Sequence, residues 1–318
     1  MAFLASAFTV YSTTVDYRNA PAATHMVTDM YPVKEIDFPA VAICNMNLIS
    51  KRKIMELAEE ILQMDSVRAM NVTKSKFLEL LKTMGHLYTF SSDEEEPGDL
   101  LLLHEIMVNA FSGARRKNVG MVSKMIVVEC DNYAVRCQWG GVIRMCSDIL
   151  EPRFTSDGQC CAFNYARWKD HFSSSLSDKM SAPVLKSEVA GSDYGLWLLL
   201  DVNSEDYFYQ LLPMIGFKVM IYSPTDYPDS PSGSSREILV ARSTETLINI
   251  GASIFDTTDD AHSMDPVHRS CRFKTELEAQ FGGRYSFSDC IVDCRVRDII
   301  KKCNCIPFFY PHPSGYGE

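Results

Sequence analysis

The chain has no apolar run long enough to cross a bilayer, which takes about 20 residues. Its first 15 residues, MAFLASAFTVYSTTV, are nearly uncharged but stop at Asp16, Tyr17 and Arg18. Basic residues are in the minority, 31 Lys and Arg against 41 Asp and Glu for a formal net charge of −10. That balance speaks against nucleic acid as a partner, since neutralising a phosphate backbone takes clustered cations. None of the 11 cysteines forms a CxxC pair, so redox-motif and zinc-ribbon readings lose their usual signature. Catalytic signatures are missing as well. His104-Glu105 runs on into Ile-Met-Val-Asn instead of completing HExxH, and there is no GxSxG, P-loop or GxGxxG. No enzymatic activity and no cofactor are expected.

What is present is a chain of 318 residues, 46% hydrophobic, enough for one large or two modest domains. Eleven cysteines at this length point to an oxidising, extracellular location. Asn71-Val72-Thr73 is an acceptor triplet for N-glycosylation. The N-terminal stretch lacks the positive start of a signal peptide. It reads as the outer end of a transmembrane helix whose beginning is missing, with Tyr11 and Tyr17 near the headgroups and Arg18 in water.

Along the chain, residues 33–45 (VKEIDFPAVAICN) read as a strand, after which the period changes from two to 3.6. Ser50 is placed to cap a helix with Ile54, Leu57, Ala58, Ile61 and Leu62 on one face. Phe77, Leu80, Leu81 and Met84 repeat the spacing, and a third helical run covers Leu100 to Phe111. Between the second and third lies a turn-rich acidic loop in which Asp93, Glu94, Glu95 and Glu96 form a candidate cation- or proton-sensing cluster. Leu196 to Val202 is a continuous apolar run, and Phe217, Val219 and Ile221 alternate with Lys218, Met220 and Tyr222 as in a half-buried strand. Residues 223–235 (SPTDYPDSPSGSS) read as a loop, Ile238 to Val240 and Thr246 to Ile250 as strands, and 288–302 as a helix with Val292, Val296, Ile299 and Ile300 inward. His25, His262 and His268 stand in linker-like positions, where a surface role is the ordinary one.

The cysteines divide into two groups. Cys44, Cys130, Cys137, Cys146, Cys160 and Cys161 are an even set, and spacing alone does not choose their connectivity. On a strand, adjacent Cys160 and Cys161 point to opposite faces and seek different partners. Cys271, Cys290, Cys294, Cys303 and Cys305 are an odd set near the end. Cys290 and Cys294 fall on one helix face, aimed beyond it, and the expectation is that the partners of this group belong to a C-terminal segment not in the sequence. A zinc site from Cys290, Cys294, Cys303 and Cys305 is the competing reading, without the usual CxxC knuckles.

Four blocks carry a resemblance. They are Phe38 to Asn45 (FPAVAICN); Cys137-x-Trp-x-Gly with Cys146; Gly158 to Asn164 (GQCCAFN); and Arg269-x-Cys with Glu276, followed by Cys290-x-x-x-Cys294 and Cys303-Asn-Cys305-x-Pro307. In this order they resemble the degenerin/epithelial sodium channel (DEG/ENaC) family, in particular its pickpocket-like branch. The resemblance implies an α+β, disulfide-rich ectodomain with palm and β-ball strands, a helical finger and a first thumb helix. Carried over by position, residues 1–20 are the outer end of the first transmembrane helix and 21–49 the wrist and first palm strand. Residues 50–157 are then finger, 158–267 palm, β-ball and knuckle, and 268–318 the start of a truncated thumb. The same likeness pairs Cys44 with Cys160 and Cys137 with Cys146, leaving Cys130 and Cys161 to pair by elimination. It also implies a homo- or heterotrimeric, amiloride-sensitive sodium channel subunit in the plasma membrane, mostly extracellular, gated by an unidentified ligand. The family's His-Gly motif, thumb return helix and Gly-x-Ser filter helix have no counterpart here, so the chain is expected to be a fragment that does not conduct by itself. The rival expectation is a secreted cysteine-rich binding or decoy module.

Overall fold

The N-terminal stretch is a helix, α1 (Ala2–Asn19), whose Ser6, Thr9, Thr13 and Thr14 hydroxyls donate to carbonyls four residues back. This back-bonding satisfies the hydroxyls within the helix itself. Phe3, Leu4, Phe8, Val10 and Tyr11 on it are exposed. Among the described residues no helix is long and apolar enough to cross a membrane. The computed structural model describes residues 2–19, 24–88, 97–111, 119–167, 183–210, 212–269, 271–276 and 285–310.

A strand begins only at Ala40, later than the sequence suggests: Val33–Glu35 is a single helical turn, and β1 runs from Ala40 to Asn45. Pro39 supplies no N–H, so ladder pairing starts after it. A short β2 (Asn47–Ser50) leads into a helical layer of α2 (Lys51–Leu62), α3 (Asp65–Arg68), α4 (Lys74–Lys82), α5 (Pro97–Ala110) and α6 (Val119–Ile126). Ser50 Oγ accepts from the Lys53 N–H and Thr73 Oγ1 from the Lys76 N–H, so α2 and α4 each start on a side-chain cap. Ile54, Leu57, Ala58 and Ile61 of α2 meet Phe77, Leu80 and Leu81 of α4, Ile106 of α5 and Val122 and Ile126 of α6 in one buried cluster.

The layer is closed at one end by Tyr209, and Gly85 is the reason the ring fits. A Cβ on Gly85 would clash with the face of the Tyr209 ring, closer to three of its carbons than any van der Waals contact allows. Gly85→Ala should therefore destabilise the protein by roughly 1–3 kcal/mol, the range for overpacking a filled core. Denaturant unfolding measures it, and a shift below about 0.5 kcal/mol, as at a free surface site, would show that the ring moves aside without cost.

The rest is antiparallel sheet. In order come β3 (Ala134–Trp139), β4 (Val142–Arg144), a helical turn α7 (Cys146–Ile149), β5 (Leu150–Thr155), β6 (Gly158–Phe163), β7 (Leu196–Leu200), β8 (Tyr207–Gln210), β9 (Gly216–Tyr222) and β10 (Arg236–Ala241). The largest sheet has the order β10-β9-β1-β6-β5, and β4-β3-β7 and β2-β8 form two smaller ones. In β1, Val41 and Ile43 point to one face with Cys161, Phe163, Phe217 and Val219. Ala40, Ala42 and Cys44 point to the other with Cys160, Ala162, Met220 and Tyr222. A central strand covered on both faces is apolar throughout.

Two sequence expectations change here. β9 is not half-buried, because Lys218, Met220 and Tyr222 are buried as well. It is internal to the sheet, between β1 and β10, and both its faces are covered: Phe217 and Val219 lie in one apolar cluster and Met220 and Tyr222 in another. Lys218 is accommodated by Asp157 at 2.7 Å and Glu237 at 2.8 Å. Burial opposes its charge, yet the two carboxylates hold the ammonium above its usual value. Thr246 to Ile250 is not a strand: the segment has no ladder partner among the described residues, and Leu247 and Ile250 are exposed. Alternating side chains do not make a strand without a neighbour to pair with.

After β10 the chain passes through α8 (Asp259–Ser263) and α9 (Pro266–Arg269) to α10 (Phe287–Cys303).

Candidate functional site

The region with the densest buried chemistry is the seat of α10. Ser286 starts this helix by accepting from the Asp289 N–H, and Asn304 ends it in the left-handed conformation, φ 52°. Val292 and Val296 are buried, and Ile299 and Ile300 half-buried, against Phe154, Tyr227, Phe309 and Tyr310. That apolar stripe alone would let the helix slide.

Two ion pairs fix its register, one buried on both sides and one with a buried carboxylate and a half-buried guanidinium. Both carboxylate oxygens of Asp289 accept from Arg167 Nη1, at 2.7 and 2.6 Å, and Asp289 Oδ1 accepts from the Tyr227 N–H at 3.0 Å. The two side chains are 1% and 2% exposed, so neither charge has water as an alternative partner. Burial pushes the Asp289 carboxyl up, while the Arg167 charge and the Tyr227 N–H pull it down. One and a half turns along, Arg295 Nη1 donates to Asp229 at 2.8 and 3.0 Å and to the Tyr310 hydroxyl at 3.0 Å. Asp229 is fully buried, and burial likewise raises Tyr310. The Tyr227 hydroxyl closes the ring by donating to the Phe309 carbonyl at 2.5 Å.

Residues 223–235 are irregular, yet they form the floor of this seat, with Tyr227, Pro228 and Asp229 buried. Several of their polar groups are satisfied within the loop: the Ser234 hydroxyl shares its proton between the Tyr227 and Asp229 carbonyls and accepts from the Asp229 N–H. Such satisfaction is what permits a loop to be buried at all. Arg167, Tyr227, Asp229, Asp289, Arg295 and Tyr310 were not singled out from the sequence. The one available signal was the proline-rich loop itself, whose turn residues said nothing about burial.

The opposite side of α10 faces solvent. Cys290 and Cys294 are exposed there, Cys303 and Cys305 are exposed at its C-terminal end and Cys271 before its start; all five are free thiols. Among the described residues no group of three or more His, Cys, Asp or Glu is arranged to hold a metal ion. Before α10, Arg269 is ion-paired with Glu276, stacks on Phe273, and donates to the His262, Met264 and Cys271 carbonyls. His262 stacks on the same ring at 4.5 Å, while His25 and His268 are exposed.

The other six cysteines are disulfide-bonded. Cys44–Cys160 joins β1 to β6, Cys130–Cys161 ties the segment before β3 to the opposite face of β6, and Cys137–Cys146 links β3 to α7. Adjacent Cys160 and Cys161 thus serve the two faces of one strand. Asn71 lies exposed in the turn between α3 and α4. Asp93, Glu94, Glu95 and Glu96 lie outside the described residues.

The arrangement amounts to a helix fixed on one side by ion pairs to the segments that follow β6 and β9, and presenting the exposed thiols of Cys290 and Cys294 on the other. Comparison with known proteins gives this arrangement a context. Residues 1–317 match the amiloride-sensitive sodium channel family. The chain is 23% identical over 298 residues to sodium channel protein Nach of Drosophila ananassae, covering 93% of this chain and 52% of that protein. It is 24% identical over 291 residues to pickpocket protein 11 of Drosophila melanogaster, covering 91% and 41%. Against epithelial sodium channel subunit beta of Canis lupus familiaris the identity is 25% over 210 residues, covering 65% and 29%. The chain spans about half or less of the length of these curated relatives.

Proposed function

This chain belongs to the amiloride-sensitive sodium channel family, and from that premise we propose that it is the extracellular body of one subunit of a trimeric, sodium-conducting, plasma-membrane channel. In this reading α1 is the outer end of the first membrane helix. The helical layer within residues 50–157 is a finger, and the large sheet is the palm. Residues 158–267 complete palm, β-ball and knuckle, and the segment from 268 onward, with α10, begins a thumb. A ligand that prefers one placement of finger or thumb over another shifts the population of pore states by the difference in its affinities. The observation that carries the proposal is the seat of α10: ion pairs hold it to the segments that continue from β6 and β9, so that a displacement of the helix is passed to those strands instead of being lost in a flexible joint.

The five exposed thiols support it, since a family member secreted into an oxidising medium is expected to bond them to further polypeptide. The test is electrical and biochemical. Oocytes given only these 318 residues should show no amiloride-sensitive sodium current, because no described helix can line a bilayer pore. Surface labelling with an impermeant reagent and chemical cross-linking should find the chain outside the cell, in trimers with channel subunits. A current from this chain alone would overturn the non-conducting assignment. A chain recovered only as free monomer in the medium would replace the subunit by a secreted binding module.

A further inference from the structure

The turn between α3 and α4 places a modification site and a helix cap on the same three residues. Asn71 has φ 52°, in the left-handed region that asparagine tolerates better than most residues. It is exposed, and its carboxamide makes no hydrogen bond to any described residue. Val72 is half-buried and packs on the helical core. Thr73 is the N-cap of α4, its hydroxyl accepting from the Lys76 N–H at 3.3 Å. The acceptor triplet for N-linked glycan needs the hydroxyl at its third position. In the folded protein that hydroxyl is engaged by the helix and the middle residue is held against the core.

We infer that Asn71 carries an N-linked oligosaccharide and that it is attached before α4 closes onto its cap. Asn71 Nδ2 bonds to the anomeric carbon of a lipid-pyrophosphate-linked oligosaccharide; the lipid pyrophosphate leaves, and the amide proton passes to the transferase. No oxidant or reductant takes part. Once α4 is capped, the transferase would have to lift Val72 off the core and strip Thr73 from Lys76 to enclose the triplet. The free carboxamide and the turn geometry remain compatible with the attached sugar, because Asn71 points away from the layer that Val72 helps to fill. The glycan therefore marks the α3–α4 end of the helical layer as a solvent face, closed to large protein partners.

The inference rests on the extracellular reading above, and the experiment separates the two. The chain is made in a secretory eukaryotic cell line and its mobility compared before and after peptide N-glycosidase treatment. The native chain and Thr73→Ser should lose one glycan on treatment. Asn71→Asp, which tolerates the same left-handed turn, should have none and keep its thermal midpoint. Thr73→Ala should lose both the glycan and part of the midpoint, since the cap goes with the acceptor. As a control, Arg242→Asn places a second acceptor triplet with Ser243 and Thr244 in an exposed segment. If the control is modified and Asn71 is not, the Asn71 site is wrong while the extracellular placement stands. If neither is modified, the placement fails and the inference with it. For the order of events, glycan-free chain is offered to purified transferase with its lipid-linked donor. The reduced, unfolded chain should accept sugar and the folded, disulfide-intact chain should not; equal transfer to both would overturn the ordering.

Discussion

Asp289→Ala should cost about 3–5 kcal/mol, the range for removing one member of a buried ion pair. The loss exceeds that of an ordinary hydrogen bond because of what stays behind. Arg167 is 1% exposed, and without Asp289 it is a desolvated guanidinium that keeps the Thr225 carbonyl, 3.4 Å from Nη1, but has lost the carboxylate that neutralised it. The Tyr227 N–H loses its acceptor too. An unpaired buried charge is far more expensive than the pair was worth. Two comparisons separate this account from simple loss of packing. Asp289→Asn keeps the shape and one acceptor but removes the charge, and should fall between the native protein and Asp289→Ala. The double change Arg167→Met with Asp289→Leu removes both charges at similar volume and should recover most of the stability, as apolar replacements of buried pairs do. Unfolding in denaturant gives the global values. Hydrogen exchange over α10 shows whether the helix leaves its seat first, as a locally opening unit would. An Asp289→Ala cost below about 1 kcal/mol, the level of an exposed pair, would mean that the seat does not hold the helix.

Removing the Cys44–Cys160 bridge is expected to be of similar size but to act through the other state. The bridge closes a loop with a sequence separation of 116 residues, and the chain-entropy relation gives about 5 kcal/mol for a loop of that length. The Cys137–Cys146 bridge spans a separation of 9, for which the same relation gives about 3 kcal/mol. Paired Cys→Ala changes at each bridge should therefore differ by roughly 2 kcal/mol in favour of the longer loop. Alanine is the right replacement at the first site. Cys44 and Cys160 sit among Ala42, Ala162 and Met220, where a serine hydroxyl would add the separate cost of an unsatisfied polar group. Equal losses at the two bridges would mean that native-state strain or residual structure in the unfolded chain, and not loop closure, sets their contribution. Non-reducing peptide mapping of the same variants checks the pairing itself, since a Cys44 peptide linked to any residue other than Cys160 would contradict the covalent frame described here.

Several elements were legible because their signals are local. The α2 cap at Ser50, its face of Ile54, Leu57, Ala58 and Ile61, and the inward Val292 and Val296 of α10 follow from a 3.6-residue period and one capping side chain. The strand from Ala40 was legible as apolar, but its start was not, because the reach of a ladder depends on where its neighbours begin. The exposed thiols of α10 could be anticipated from the four-residue spacing of Cys290 and Cys294 on a helix. β9 misled for the opposite reason. Lys218 looks like a solvent residue in an alternating pattern until Asp157, from the turn before β6, and Glu237, from β10, are brought to it. The ion pairs beneath α10 were not legible, since the partners Arg167 and Asp289 are 122 residues apart and Asp229 and Arg295 are 66 apart.

What the amino-acid order determined by itself is the periodicity of each helix, the alternation that sends Cys160 and Cys161 to opposite sides of a strand, and the motif order that links the chain to its family. Each depends on backbone geometry repeating over a few residues. Only the tertiary structure decided which charges are buried together, that an irregular proline-rich loop is the floor beneath α10, and that Thr246 to Ile250 has no strand beside it. Those outcomes depend on desolvation and on the presence of a distant partner, and neither is encoded in a residue's near neighbours.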